Sequence, residues 1–261
     1  METQKAILIV SVGTSHIEAL ENTTYKLGQK MAEHFSEYKL YYAFSNQLIL
    51  NKMKEKRQGM FLSIKEALEQ MLSEGIEEAL VQPTYILNGI ENAKMLEEIA
   101  EYREQFIDIC IGNPLLSAPE DYKKTLHAIL KNVDLEENEV LVLVGHGSSH
   151  KADMTYQKLE DMAHELGIPQ VFAGTIGGSL SFTHVMERLE KQGSQKVCLM
   201  PFLFVLGNHA KKDIAAETNS WKSMLAENGY KVRIFLKGLG EIEDIQELLI
   251  AHLEEKMKKE G

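Results

Sequence analysis

Apolar positions along this chain follow two alternating patterns. Short runs rich in Val, Ile and Leu recur at residues 6–12, 40–43, 78–82, 107–111, 140–144, 170–174, 196–200 and 232–236. Runs of that length and β-branched content predict buried strands. Between them apolar residues recur every three or four positions. At 62–74, for example, Ile64, Ala67, Leu68, Met71 and Leu72 make one stripe of an amphipathic helix. Strands alternating with helices predict an α/β protein whose parallel sheets are covered by helices. The polar, acidic stretch LKNVDLEENEV at 130–140 separates two sets of four strands, which predicts one α/β half at 1–130 and another at 138–261.

The two halves repeat each other. "VSVGTSH" at 10–16 is answered by "LVGHGSSH" at 143–150. Gly13 falls on Gly147, while Thr14, Ser15 and His16 fall on Ser148, Ser149 and His150, and Val12 falls on His146. Likewise "EALVQPTYILNGIENAK" at 78–94 is answered by "KVCLMPFLFVLGNHAKK" at 196–212, which lays Pro83 on Pro201, Gly89 on Gly207 and Glu91 on His209. A looser match sets "IGNPLL" from Ile111 against "LKGLGE" from Leu236. The repeating unit is a whole domain. In such sheets ligands bind beyond the carboxyl ends of the strands, where these loops lie.

Composition narrows the choice of ligand. With 44% apolar and 26% charged residues the chain is an ordinary globular protein, and 261 residues suffice for two cores. A net charge of −11 repels phosphate backbones and anionic lipid, arguing against nucleic-acid and membrane partners. Cys110 and Cys198 lie in apolar runs and read as buried strand thiols. They form neither a disulfide framework nor a CxxC pair, so a metal site must be built from His and carboxylate. The apolar run before Ser11 is too short for a signal peptide, no run reaches membrane-span length, and a cytoplasmic location is expected.

His146 and His209 both follow predicted strands of the second half. Two neutral imidazoles on neighbouring loops suit a shared divalent cobalt, iron, nickel or zinc ion. A loop histidine is also often structural or merely exposed. The hydroxyls of "GTS" and "GSS" either cap helices or join backbone N–H groups in holding ligand carboxylates. "GHGSSH" lacks the glycine spacing of a dinucleotide loop, the GK[ST] ending of a P-loop and the GxSxG elbow of hydrolases. A Ser148 or Ser149 nucleophile with His146 as base is the weaker alternative.

The ordered set "SVGTSH", "QPTYILNG", "GNPLLS", "VGHGSSH", "LMPFLFVLGNHAKKDI" and "NSWK", spread over nearly the entire chain, resembles the class II chelatases of the anaerobic cobaltochelatase (CbiK) type. The resemblance implies two flavodoxin-like (chelatase-like) α/β domains with parallel sheets, related by internal duplication. It also implies an ATP-independent chelatase of the lyase class that inserts Co²⁺ into sirohydrochlorin in anaerobic cobalamin biosynthesis. The metal is then a substrate, and no organic cofactor is needed. In that family the His of "GHG" and the His of "G-[DN]-H-A" bind the metal, and the first accepts a proton. Those roles carry over to His146 and His209.

Two positions depart from the family pattern. Gly177, in "AGTIGGSLSF", stands where the family has a metal-ligating Glu in "GTVE", and Tyr85 stands where "HIINGEE" has its histidine. Glu91 is then the candidate third ligand. Gly13, Thr14, Ser15, His16, Tyr85, Asn88, Gly147, Ser148, Ser149 and His150 are expected to contact the tetrapyrrole, with Lys211 and Lys212 available to its carboxylates. The alternatives are an Fe²⁺ or Ni²⁺ chelatase for a related tetrapyrrole, a non-catalytic tetrapyrrole-binding protein, and a two-lobed binding protein of periplasmic type. A homo-oligomer is left open.

Overall fold

The computed structural model describes residues 3–56, 61–148, 151–208 and 210–260. All eight expected strands form: β1 (Lys5–Ser11), β2 (Tyr38–Phe44), β3 (Glu78–Pro83), β4 (Asp108–Ile111), β5 (Glu139–Gly145), β6 (Val171–Thr175), β7 (Lys196–Pro201) and β8 (Lys231–Ile234). They make two four-stranded parallel sheets of orders β2-β1-β3-β4 and β6-β5-β7-β8. The fold is therefore the expected duplicated α/β architecture. In each sheet the first strand is central, and winding changes direction on either side of it, which opens a ligand crevice at its carboxyl end. Central position explains the sequence: β5 is buried along its whole length and β1 at all but Lys5, so both are nearly unbroken apolar runs.

Backbone hydrogen bonds past the strand ends reproduce the repeat. Ser45 N donates to Ser11 O (2.9 Å) as Ile176 N does to Gly145 O (3.0 Å). Thr84 N donates to Val10 O (2.8 Å) as Phe202 N does to Val144 O (2.7 Å). The last strands correct the loose sequence match. Gly112 N bonds Val81 O as Phe235 N bonds Leu199 O, and Leu115 N bonds Tyr85 O as Leu239 N bonds Leu203 O. Gly112 therefore matches Phe235 and Leu115 matches Leu239, so Ile111 does not answer Leu236, and the second loop is one residue longer.

Helices α1 (Ile17–Leu20) and α2 (Lys26–His34) are joined by a π-helical turn, Glu21–Tyr25, and α3 (Gln47–Lys56) follows β2. The stripe read at 62–74 becomes α4 (Ile64–Ser73), opened by a capping box between Ser63 and Glu66, with Ile64, Ala67, Leu68 and Met71 buried. The remaining helices are α5 (Ile90–Ala100), α6 (Pro119–Asn132), α7 (Met154–Glu165), α8 (Phe182–Gln192), α9 (Trp221–Glu227) and α10 (Glu243–Glu260). Cys110 and Cys198 are buried and form no disulfide with each other, as expected.

Contacts divide the chain differently from the 130–138 linker. One unit runs to Ser117 and resumes at Glu243; the other is Ala118–Ile242. The cause is where two helices pack. C-terminal α10 lies on β3 and β4, with Lys30 on α2 paired to Glu243 (2.5 Å) and His34 to Glu254 (2.6 Å). Helix α6 instead packs on α7 of the second unit.

Candidate functional site

In the second unit the site is built on the end of β5. Gly145 closes the buried strand, and His146, the next residue, is exposed. The chain then turns through Gly147 in the left-handed region (φ 79°). Only glycine fits there: a Cβ would lie within 2.8 Å of Gly178 Cα and closer still to its nitrogen. The loop after β6 runs alongside. Gly177 N donates to His146 O (2.9 Å), so the backbone of His146 is tied to the loop after β6.

Helix α7 braces this loop from below. Gly147 N donates to the Tyr156 hydroxyl (3.4 Å), whose ring sits where a Cβ of Gly145 would stand 2.5 Å from its Cζ. Tyr156 is 4% exposed, and burial pushes its phenol up to about 12, so it serves as a neutral acceptor. Asp153 accepts from Ser148 N (2.9 Å) with one oxygen and from Ser179 N (2.7 Å) and Ser179 Oγ (2.6 Å) with the other. The helix is itself anchored by Glu160, fully buried, which accepts from Ala173 N (2.8 Å) and pairs with Arg188. Asp153 and Tyr156 were not foreseen from sequence. The available signal was an Asp at a helix start six residues after a loop glycine.

The first unit has the same turn without the histidine. Gly13 has φ 89°, and its N–H donates to Ser11 Oγ (3.3 Å), which also accepts from Thr24 Oγ1 (3.3 Å) in the π-helical turn. Thr14 is buried, and its hydroxyl accepts from His16 N (3.3 Å). Ser15 and His16 are half-buried, with His16 at the start of α1. Asn88 is exposed and accepts from Asn92 Nδ2 (3.0 Å). Glu91, half-buried in the first turn of α5, lies 3.9 Å from Lys94 Nζ.

Tyr85 does not lie where a stacking residue would. It is 5% exposed and belongs to the core of the first unit, its phenol pushed well up by burial. Ser149, His150 and His209 lie outside the described residues. Among the described residues no three His, Cys, Asp or Glu side chains gather to hold a metal ion. Leu48 and Ile90 in the first unit, and Met154 and Leu236 in the second, are exposed apolar residues in segments that follow strands.

A duplicated four-stranded parallel unit carries a Gly-His-Gly turn past the central strand of one copy. The structure superposes on SirB from Bacillus subtilis with Fe³⁺ with a TM-score of 0.71 at 18% identity, covering 99% of this chain and 98% of that one. It superposes on the cobalt complex of the sirohydrochlorin chelatase SirB from Bacillus subtilis subspecies spizizenii with a TM-score of 0.67 at 16% identity, over 98% and 97% of the two chains. At those identities the likeness shows the fold. The chain belongs to the cobalt chelatase (CbiK) family, whose model matches residues 5–258. The sirohydrochlorin cobaltochelatase of Salmonella typhimurium is 31% identical over 256 residues, spanning 96% of this chain and 95% of the relative. The sirohydrochlorin cobaltochelatase CbiKC of Nitratidesulfovibrio vulgaris is 28% identical over 96% of this chain and 90% of its own. Among the described residues no helix is long and apolar enough to cross a membrane.

Proposed function

We propose that this chain is a sirohydrochlorin cobaltochelatase that exchanges the two pyrrole N–H protons of the macrocycle for one Co²⁺ without ATP. The observation that carries the proposal is end-to-end identity of 31% with a relative of that name, together with a histidine at the mouth of β5 where the family pattern places one. His146 holds the incoming metal and, once the metal has passed to the macrocycle, takes up one pyrrole proton while the other leaves to water; neutral imidazole is suited to both roles in turn. His209 is the second ligand. Backbone N–H groups and hydroxyls at the strand ends receive the macrocycle's carboxylates. Its small-molecule partners are the tetrapyrrole and the divalent metal.

The test supplies the purified chain with sirohydrochlorin and Co²⁺, Fe²⁺ or Ni²⁺ separately and follows the absorbance change of the macrocycle. Fastest insertion of Co²⁺ is expected. Tight tetrapyrrole binding with no insertion of any metal would overturn catalysis in favour of a carrier. Gly177 supports a second reading, in which Fe²⁺ or Ni²⁺ is preferred because the usual carboxylate ligand is missing.

The same glycine offers a direct check. Gly177 lies outside the left-handed region, and a Cβ there meets only His146 O, at an ordinary 3.6 Å. A carboxylate can thus be restored without backbone strain. Gly177→Glu is expected to lower the KM for Co²⁺ by about the tenfold that even outer-sphere groups contribute to metal affinity. An unchanged KM in the same absorbance assay would show that residue 177 does not face the metal.

A further inference from the structure

We infer that Asp153 is a positioning residue of the metal site: its carboxylate clamps the loop that carries His146 to the loop that carries Gly177. The inference rests on the reading of His146 as a metal-binding residue. Asp153 ends the 3-10 turn Lys151–Asp153 that runs into α7, its backbone helical (φ −60°, ψ −29°), and its side chain makes no capping bond to that helix. Both oxygens are turned outward. Oδ1 takes Ser148 N, two residues past His146, and Oδ2 takes the N–H and hydroxyl of Ser179, two residues past Gly177.

The clamp is built for that purpose. Asp153 is 6% exposed, and a charge so buried is tolerated only when its hydrogen bonds are made. Bonds to an ionised acceptor are about twice as strong as neutral ones and gain from the exclusion of water. Gly178 leaves the room: a Cβ there would stand 2.8 Å from the Asp153 carboxylate carbon. Two bonds, Ile176 N to Gly145 O and Gly177 N to His146 O, already pair the loops up to the histidine. Asp153 continues the pairing beyond it, so His146 is held on both sides. The first unit has neither half of the device: Val12 stands at the position of His146, and Ala19, six residues after Gly13, at that of Asp153, six residues after Gly147. Clamp and histidine occur together in one copy of the repeat.

Asp153→Asn keeps the shape but offers a single acceptor oxygen, so one loop must lose its bond. In the full-length protein, with Co²⁺ and sirohydrochlorin as probes, Asp153→Asn is expected to raise the KM for Co²⁺ by about 10- to 100-fold, the range for groups that orient metal ligands. The KM for sirohydrochlorin should move by less than about threefold, because the clamp acts on a ligand loop. Ser179→Ala removes only the hydroxyl bond; it should raise the same KM by a smaller factor, and it carries the test if Asp153→Asn does not fold. His146→Ala is measured beside them. If it is inactive while Asp153→Asn and Ser179→Ala bind Co²⁺ like the parent, the clamp is refuted and the site stands. Equal rises in both KM values would reduce Asp153 to general support and also refute it. If His146→Ala keeps its full rate, the site reading falls and the clamp with it.

Discussion

His146→Ala is expected to lose Co²⁺ insertion by at least about 100-fold while melting close to the parent. General acid–base groups contribute roughly 10²- to 10⁴-fold, before the loss of a metal ligand is counted. Stability should hardly change, because the side chain is exposed and the turn beneath it is fixed by backbone bonds to Gly177, Tyr156 and Asp153. Surface substitutions away from such features usually cost within about 0.5 kcal/mol. Initial rates with sirohydrochlorin and Co²⁺, set beside a thermal melt, separate the two effects. A variant that inserts metal at the parental rate would remove His146 from the mechanism. One that is inactive and also melts far below the parent would make the loop a folding element first.

How much of this was legible in the sequence depends on the range of the interactions involved. The strands were legible because a central parallel strand buried on both faces must be apolar throughout, as β1 and β5 are. His146 was legible because the repeat set it against Val12, and a polar residue appearing in one copy of an otherwise matched loop stands out. The partition of helices was not. Helix α10 is last in the chain yet covers β3 and β4, and an amphipathic stripe states what a helix buries without saying against which sheet. Tyr85 shows the same limit in the site. It lies two residues past β3, as a ligand-facing residue would, but its ring turns into the core, and single-residue orientation past a strand end is set by packing. Asp153 and Tyr156 were hard to read for a third reason: most of their partners are backbone N–H groups, which carry no signature of residue type.

The matched glycines of the repeat allow the second large effect to be predicted with its own control. Gly147→Ala and Gly13→Ala both force a Cβ into the left-handed region, at φ 79° and 89°, a strain of about 1–2 kcal/mol each. Their surroundings differ. At Gly13 the nearest atoms are side-chain ends, Phe44 Cδ1 at 3.1 Å, Ile49 Cγ2 at 3.4 Å and Met53 Sδ at 3.5 Å, which can give way. At Gly147 the obstacle is the backbone of Gly178, which is held in place because its neighbours Gly177 and Ser179 bond to His146 O and Asp153. Overpacking of a site that cannot yield costs a further ~1–3 kcal/mol. Gly147→Ala should therefore melt well below Gly13→Ala. It should also lose about 100-fold in insertion rate, since a displacement of about 1 Å at a reacting group has that consequence. Paired melts and rates decide the matter. Equal losses in the two variants would mean that the φ angle alone matters, and that the contact between the loops after β5 and β6 does not set the geometry of His146.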